Sequence, residues 1–413
     1  MPRTDLAHWN PEARKRSPLH LLNESTHGRV PSLIKLKNER MASSPFGFFR
    51  GAVPVMAYDL SLSPHTGIVN QLCGDAHVQN LGAYEGPDGR LIFDINDFDE
   101  TLRGPFEWDV KRMATSILLA GDAAGIKAGG CGDAVSLFLA AYCELMERFS
   151  RMPILEVARF QVRRLARIAP VSKILRKAQR ATPLSSLERL TEETSKGRVF
   201  KSNPPLLRPI QGRTARLVLE SLPAYTESLL PERRHFFAQF RPIAVAFKVV
   251  GTGSVGLRDY CVLMEGNGAG DPLFLQIKEE AGSAWLRYLP QAIPLPENEG
   301  QRTAEGQRAM QLSSDPLLGW TRLDGRGYLV RQLNDHKAAV DIRTLKAAGL
   351  GAYATVCGEM LARGHARSGD ARAIAGYIGN GTRFKQAMHG FASAYAAQTV
   401  ADWKVLVSHQ LKK

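Results

Sequence analysis

Residues 73–80 read CGDAHVQN, and residues 91–100 read LIFDINDFDE. The first stretch places an aspartate, a histidine and an asparagine within six residues, and the second adds three more aspartates. Clustered carboxylates repel one another and are costly in a folded protein unless positive charge lies among them. The two stretches therefore predict a site that holds a cation or a cationic side chain.

The composition limits the class of protein. The chain has 413 residues, of which 44% are hydrophobic, and this length suits two domains or one two-lobed domain. No stretch approaches the roughly 20 apolar residues of a membrane span, and the N-terminus lacks the apolar core of a secretory signal. The five cysteines are scattered without a C-x-x-C pair, so we expect a reduced, cytoplasmic compartment, no disulfide framework and no zinc site.

The formal net charge of +14 favours an anionic partner. Much of this charge lies in residues 159–180, RFQVRRLARIAPVSKILRKAQR, which contain no acid. A solvated helical face and a surface that binds a polyanion such as nucleic acid both fit this run. No zinc-finger or RNP motif accompanies it, so both interpretations stay open.

A glycine-rich segment, GTGSVG, occupies residues 251–256 between two strand-like runs. Glycine lets the backbone approach phosphate oxygens and offer its N–H groups. A dinucleotide-binding fold would continue with a helix, whereas strand, glycine loop and strand is the order in protein-kinase-like enzymes. We therefore predict that Gly251, Gly253, Ser254 and Gly256 contact nucleotide phosphates; a tight hairpin without a ligand is the alternative.

Kinase-like enzymes carry a lysine on the strand after this loop and hold it with a glutamate from the next helix. The run QIKEE supplies Lys278. The helical stretch EGQRTAEGQRAMQ offers Glu299 and Glu305, and we favour Glu305 as the partner of Lys278. A surface lysine and a surface glutamate are the competing interpretation.

The spacing within CGDAHVQN fits a catalytic loop. In kinase-like enzymes an aspartate orients the acceptor hydroxyl, and an asparagine five residues later binds magnesium. Asp75 and Asn80 have this spacing. We predict that these two residues take those roles, and a polar structural loop is the alternative.

A hairpin and a second metal-binding aspartate should follow that loop. The turn EGPDG and the run LIFDINDFDE provide both. Asp97 is favoured because it continues the alternation of the preceding apolar residues and because D-F-D resembles D-F-G. Asp94 lies closer to Asn80 in sequence and is the second candidate. ATP and Mg²⁺ are the expected cofactors, since hard oxygen ligands suit magnesium.

Several motifs together resemble the bacterial domain-of-unknown-function family 2252, over nearly the whole chain from about Arg40: GDAHxxN, FDINDFDE, GPFEWDVKRMA, GTGSVG, EGQRxMQ and VRQLNDHK. That family is similar to kinase-like phosphotransferases of the aminoglycoside and choline kinase type. The resemblance implies a catalytic role for His77, two residues after Asp75. It also implies that Asp109 hydrogen-bonds the catalytic-loop backbone. Cys73 stands where those enzymes usually have histidine.

The order of the motifs is rearranged, because in ordinary kinases the β-rich lobe precedes the catalytic loop. Helical spacing marks residues 108–121, 135–149 and much of the chain after Thr344, with strand character between. We expect an α+β, two-lobed, protein-kinase-like fold that is circularly permuted. Residues 1–235 would form the helical catalytic lobe, residues 236–335 the β-rich nucleotide-binding lobe, and residues 336–413 helices that complete the first lobe. A hinge that contacts adenine is expected near residues 331–335.

The sequence thus predicts an ATP- and magnesium-dependent phosphotransferase with an unidentified hydroxyl acceptor, more readily a small molecule than a protein. One alternative is a nucleotide-binding protein that transfers AMP or lacks catalytic activity. The other is a basic nucleic-acid-binding protein that uses residues 159–180.

Overall fold

The computed structural model describes residues 1–162, 164–180, 182–195, 197–289, 296–333 and 338–411. It combines helices with small antiparallel sheets, so the predicted α+β class is confirmed. Within those ranges, none of the helices has both the length and the apolar character needed to span a bilayer. All five cysteines are free thiols in buried positions.

Four short helices lie near the N-terminus, and three of them begin at a proline. Proline lacks an N–H and has a fixed φ, so it fits the first turn of a helix. Serines cap two of them: Ser17 Oγ accepts from the His20 amide at 3.2 Å, and Ser44 Oγ accepts from the Gly47 amide at 3.0 Å. The helices are α1 (Pro18–Glu24), α2 (Pro31–Ala42), α3 (Pro45–Gly51) and α4 (Val53–Ser61), after 3-10 turns at Arg3–Ala7 and Pro11–Ala13.

Two antiparallel ladders carry the acidic sequences. Strand β1 (Val69–Leu72) pairs with β4 (Leu102–Pro105), and β2 (Leu81–Glu85) pairs with β3 (Leu91–Ile95). Leu81 lies opposite Ile95, so the residues just before β2 and just after β3 are neighbours at one end of this hairpin. The predicted hairpin between the two acidic stretches is therefore present.

The helices that follow contribute to the main core, which includes buried residues of α5 and α6. The helical spacing of residues 108–121 and 135–149 is confirmed. This group comprises α5 (Glu107–Ala123), α6 (Ala128–Arg151), α7 (Ile154–Arg159), a 3-10 turn (Leu165–Arg167), α8 (Ala169–Gln179) and α9 (Pro183–Leu190).

The basic run 159–180 includes helix α8, which is amphipathic. Val171 and Ile174 are buried, whereas Lys173, Arg176 and Lys177 are exposed. Residue 163 lies outside the described residues. The described part of α8 therefore packs its apolar side on the core and turns its positive charge to solvent.

A six-stranded antiparallel sheet forms the second unit of the fold, with strand order β11-β12-β10-β9-β8-β7. A separate two-stranded ladder, β5 (Thr191–Thr194) with β6 (Gly197–Phe200), precedes it. The strands and helices of this unit are β7 (Leu207–Pro209), α10 (Gly212–Glu220), α11 (Leu222–Ser228), α12 (Pro231–Phe237), β8 (Arg241–Lys248), β9 (Asp259–Glu265), β10 (Pro272–Glu279), α13 (Glu299–Met310), β11 (Gly319–Leu323) and β12 (Arg326–Gln332).

The β-rich unit begins earlier than the predicted boundary at residue 236. Strand β7 is already part of the large sheet. Val218 of α10, Tyr225 of α11 and Phe237 of α12 share one buried cluster with Val262 and Ile277 of the sheet. These three helices therefore cover one face of the sheet, and the sequence prediction assigned them to the wrong unit.

The C-terminal helices return to the main core. Strand β13 (Ala338–Ala339) pairs with β2, and a 3-10 turn (Ile342–Thr344), α14 (Ala347–Ser368), α15 (Ala371–Ile378) and α16 (Thr382–Leu411) follow. Helix α14 packs closely on α6: a Cβ added at Gly358 would lie 2.4 Å from the Phe138 carbonyl oxygen. Main-core residues thus come from both ends of the chain, with the β-rich unit between them in sequence.

Candidate active site

The loop of residues 73–80 connects β1 to β2, and Asp109 of α5 fixes its first turn. The Asp109 carboxylate accepts hydrogen bonds from the Cys73 amide at 2.9 Å and from the Gly74 amide at 3.0 Å. Gly74 has φ +78°, and a Cβ there would lie 1.9 Å from the Glu100 carbonyl oxygen, so glycine is required. His365 Nε2 lies 3.3 Å from Asp109, so α14 also contacts the carboxylate that holds the loop.

Asp75 points into a cleft and is paired with a buried arginine. Arg112 contacts Asp75 Oδ1 through Nε at 2.7 Å and through Nη2 at 2.5 Å. His77 Nε2 lies 3.7 Å from the other carboxylate oxygen. Burial raises the pKa of Asp75 to about 6, even though Arg112 favours its charged form. A carboxyl group with this pKa is suited to accept a proton near neutral pH.

His77 is buried and contributes a neutral imidazole. Burial, together with the positive charges of Arg50 and Arg112, holds its pKa well below the ordinary value. Its Nδ1 accepts a hydrogen bond from the Gln79 amide at 3.2 Å, so the ring proton is on Nε2, the nitrogen on the side of Asp75. His77 therefore places a neutral N–H near Asp75 without adding charge.

Asn80 and Asp97 lie at the end of the β2–β3 hairpin and line the same cavity as Asp75, with a volume of about 140 Å³. The Asn80 side-chain amide donates to the Asp75 carbonyl at 2.7 Å, and the Asn80 carbonyl accepts from the Asn96 amide at 3.0 Å. These bonds join the two acidic stretches. The sequence-predicted set of Asp75, His77, Asn80 and Asp97 is thus brought together.

Asp94, the second metal candidate, has a different environment. Its side chain is buried, forms an ion pair with Arg363 of α14, and accepts from the backbone amide of Leu312 at 3.2 Å. Asp97, in contrast, is 38% exposed and faces the cleft. Asp94 therefore links elements of the fold, whereas Asp97 is accessible to a ligand.

The glycine-rich loop connects β8 to β9 and lines the cleft opposite Asp75. Gly251 and Gly256 have φ +71° and +94°, which side chains with a Cβ rarely adopt. Basic side chains from α2 and the segment before it bind its carbonyl oxygens: Lys37 Nζ donates to Gly253 at 2.9 Å, and Arg29 Nη1 donates to Gly253 at 2.9 Å. Arg40 also contacts the Gly251 carbonyl. The loop is therefore fixed to residues 29–40 by side chain–backbone hydrogen bonds.

Lys278 lies at the centre of an acidic cluster. Its Nζ contacts Asp99 and lies 3.8 Å from Asp97 Oδ1 and 3.6 Å from Glu280 Oε1. Burial alone would lower the pKa of Lys278, but the three carboxylates raise it above the ordinary value. Lys278 is therefore charged, and it lies on the same side of the molecule as the Asn80–Asp97 pair.

The prediction that Glu305 pairs with Lys278 is wrong. Glu305 lies on the exposed side of α13, where its carboxylate accepts a hydrogen bond from Gln301 Nε2 at 2.7 Å. The other candidate, Glu299, forms an ion pair with Arg302 on the same helix. Neither glutamate is needed, because Asp99 and Glu280 already surround the ammonium.

The cluster carries more negative than positive charge, since three carboxylates surround one ammonium. Burial raises the pKa of Asp99 to about 6, and nearby Asp97 adds to this rise. Burial likewise raises the pKa of Glu280, and nearby Asp99 adds to this effect. These shifts arise chiefly from burial, and a cation bound nearby would favour the ionised form of both groups.

Asp97 and Asn80 offer one carboxylate and one amide oxygen to a shared cavity, which suits magnesium that also binds phosphate. Among the described residues, no group of three or more histidine, cysteine, aspartate or glutamate side chains could hold a metal ion by itself. The donor set therefore fits an ion that arrives with a phosphorylated ligand, rather than a metal enclosed by protein.

A second cavity of about 390 Å³ adjoins the first, and Asp97, Gly251 and Ser254 line both. Its other walls include Lys278 and Arg331, the latter hydrogen-bonded to Gln276 Oε1 at 3.0 Å. Of the predicted hinge at residues 331–335, residues 334 and 335 lie outside the described residues. The two cavities form one cleft between the hairpin and the large sheet.

Sequence reasoning missed several residues of the cleft. Glu280 could have been found, because it lies two residues after Lys278 and so shares its strand face. Asp99 could also have been found, since it follows Asp97 in the same acidic run. Arg29, Lys37 and Arg112 had no such signal, because they reach the site from distant segments or from inside a helix that reads as ordinary core.

One known protein family matches most of the chain. Residues 29–409 match the family described as an uncharacterized protein conserved in bacteria, DUF2252. The chain belongs to DUF2252. The matched range includes every residue assigned to the cleft above, from Arg29 to Arg331. No curated protein and no solved structure matches this DUF2252 chain.

Proposed function

We propose that this protein transfers the γ-phosphate of ATP, with magnesium, to a hydroxyl group of a small-molecule acceptor. The observation that carries the proposal is the meeting of two sequence-distant segments at one cleft. The glycine-rich loop and Lys278 line it from the large sheet, while Asp75, Asn80 and Asp97 line it from the hairpin. Lys278 Nζ of the first set lies 3.8 Å from Asp97 Oδ1 of the second set.

The order of elements in the sheet supports a kinase-like arrangement. The glycine-rich loop lies between the adjacent strands β8 and β9, and Lys278 lies on β10, the next strand in both sequence and space. That is the placement of the phosphate-binding loop and lysine in protein kinases. Since these elements follow the catalytic hairpin in sequence, the proposed fold is a circularly permuted one.

Each cleft residue has a role that its environment supports. Asp75 would orient the acceptor hydroxyl and take its proton, since its pKa is near 6. Asn80 and Asp97 would hold the magnesium, which when bound neutralises phosphate charge. Lys278 and the amides of the glycine-rich loop would bind the phosphates. The protein would thus contribute mainly positioning and charge stabilisation.

The size of the cleft favours a small acceptor. The cavity beside Asp75 has a volume of about 140 Å³, and Leu21, Pro54 and Tyr288 also line it. A peptide segment would need a larger groove that is open along the surface. A hydroxyl-bearing metabolite is therefore the acceptor class that we propose.

The test is transfer from labelled ATP. Purified protein is incubated with α- or γ-labelled ATP, magnesium and a pool of hydroxyl-bearing metabolites, and products are resolved by mass and by label. Label from the γ position in a product supports the proposal. Label from the α position would instead establish AMP transfer. If ATP and magnesium do not raise the melting temperature of the protein, the proposal that it binds nucleotide in this cleft is wrong.

A further inference from the structure

Arg50, in the last turn of α3, lines the same cavity as Asp75, His77 and Asp97. The helix is firmly placed, because Phe49 beside it is buried and its carbonyl accepts from Arg112 Nη2 at 3.0 Å. Arg112 in turn holds Asp75. The position of Arg50 relative to Asp75 is therefore set through a single buried side chain.

The Arg50 guanidinium has no protein partner in the described part of the chain. It forms no hydrogen bond and no ion pair with any described residue, and its Nε is buried without an acceptor. The neighbouring cations differ: Arg29 and Lys37 donate to carbonyl oxygens of the glycine-rich loop. A buried N–H without an acceptor is costly, so such a group points to a ligand that supplies the acceptor.

The nearby carboxylates do not explain Arg50. Asp75 already has an ion-pair partner in Arg112, and Asp97 lies within 3.8 Å of Lys278. Asp75 and residues Gly251, Thr252 and Gly253 of the glycine-rich loop line the same cavity as Arg50. An anion with several oxygens would fit there, and the planar guanidinium fork matches the geometry of phosphate.

We propose that Arg50 binds the γ-phosphoryl group of the nucleotide and stabilises the charge that develops on it during transfer; this rests on the proposed function. In the step, the bond from the γ-phosphorus to the β–γ bridging oxygen breaks, and ADP leaves with that electron pair. A bond from phosphorus to the acceptor oxygen forms, and the hydroxyl proton goes to Asp75. Arg50 contacts only the group in transfer, so it is a catalytic residue supplied by the same chain.

The experiment compares ATP with ADP. Affinities for ADP and for an ATP analogue with a non-hydrolysable β–γ bridge are measured with magnesium by calorimetry, and turnover is measured with ATP. The variants are Arg50→Ala, Arg50→Lys and, as a charge-matched control, Arg103→Ala, which removes an exposed arginine on β4 outside the cleft. Arg50→Gln replaces the alanine variant if that one does not fold.

Wild-type protein should bind the ATP analogue more tightly than ADP. Arg50→Ala should lose about tenfold or more in affinity for the analogue but little for ADP, because a charge-assisted hydrogen bond to the γ-phosphoryl is lost. Turnover should fall by about 10³-fold. Arg50→Lys should recover part of both, and Arg103→Ala should match the wild type.

Three results would overturn the inference, and they differ in scope. If wild-type protein binds neither nucleotide, both the proposed function and the role of Arg50 fail. If wild type is active and Arg50→Ala keeps its turnover and its preference for the analogue, only the role of Arg50 fails. If Arg50→Ala loses both ligands equally, Arg50 supports the fold of the cleft rather than the γ-phosphoryl group.

Discussion

Arg112 and Asp75 form an ion pair in which two guanidinium nitrogens contact one carboxylate oxygen. The arginine side chain is fully buried and that of the aspartate is 18% exposed. Removing one partner of such a pair leaves an uncompensated buried charge, which typically costs about 3–5 kcal/mol. A test of Asp75 must therefore keep the hydrogen-bonding capacity of the side chain. Asparagine keeps the hydrogen bonds but not the charge, so the free energy of unfolding of this variant is measured beside its turnover, whereas alanine would remove both the charge and the hydrogen bonds.

Asp75→Asn is expected to bind ATP and magnesium like the wild type but to lose at least about 10²-fold in turnover, because the amide cannot take the acceptor proton. Calorimetry and a coupled ADP assay measure the two quantities. Asp88→Asn, on the exposed turn between β2 and β3, is the control. Unchanged turnover in Asp75→Asn would exclude it as the base.

The pH dependence of the reaction should report Asp75. Its pKa is raised to about 6 by burial, and only the ionised form accepts a proton. The value of kcat/KM should therefore rise about tenfold per pH unit below 6 and level off above it. Arg112→Gln should move the midpoint upward, since the positive charge that favours the carboxylate is lost. A midpoint that does not respond to Arg112 would assign the titration to another group.

Asp94 and Asp97 should give opposite results in one assay. Asp97→Asn should abolish the stabilisation that requires both ATP and magnesium and should change the melting temperature of the free protein little. Asp94→Asn should lower the stability of the free protein by about 3 kcal/mol, because Arg363 loses its buried partner. Its ligand-dependent shift should persist. Thermal denaturation with ATP and magnesium, alone and together, distinguishes the two variants. If Asp94→Asn loses the ligand-dependent stabilisation and Asp97→Asn lowers the stability of the free protein, Asp94 is the metal ligand instead.

Lys278 and Glu305 provide a second paired test. Lys278→Met should weaken ATP binding by about tenfold or more, because it removes the charge beside Asp97 that would face the phosphates. Glu305→Gln should change the affinity for ATP less than about twofold, since Glu305 lies on the exposed side of α13. A large loss in Glu305→Gln would mean that the helix turns toward Lys278 when nucleotide binds.

Lys111 gives a prediction about stability alone. It is fully buried, its Nζ lies 4.3 Å from the centre of the Phe391 ring, and among the described residues it has no hydrogen-bond partner. Burial lowers its pKa to about 8 from 10.5. Between these two values the folded protein binds fewer protons than the unfolded chain, so the free energy of unfolding should rise with pH.

Below about pH 8 the ammonium is charged in both states, and its burial cost of roughly 3 kcal/mol is fully present. Lys111→Met should therefore raise the melting temperature at pH 7 and flatten the rise in stability between pH 8 and 10.5. Lys404→Met, on the exposed side of α16, is the control. A lower melting temperature for Lys111→Met would mean that the contact with Phe391 outweighs the cost of burial.

The sequence predicted those parts of the molecule that depend on local spacing. The glycine-rich loop between two strands, the hairpin that joins Asn80 to Asp97, and the contact of Asp109 with the loop backbone are all present. In each case the interacting residues are close in sequence or belong to a fixed motif. Strand alternation is enough to place the loop and the hairpin. The contact of Asp109 was expected only from the family resemblance.

The rest depended on contacts between segments far apart in sequence. The partner of Lys278 was misassigned because a helix with glutamates at two positions can turn either one away from the strand. The hydrogen bonds of Arg29 and Lys37 to Gly253 span more than half the chain and leave no local pattern. Helices α10–α12 were assigned to the wrong unit because an amphipathic helix does not indicate which core it covers.

The burial of every cysteine makes the chain convenient for spectroscopic labelling. A cysteine introduced at Asp88 or at Ala269, both on exposed turns, would offer a maleimide reagent an accessible thiol while the native ones stay shielded. One such dye on the β2–β3 hairpin and one on the turn between β9 and β10 would report the distance across the cleft in solution. Fluorescence transfer between them could then follow domain closure as nucleotide is added.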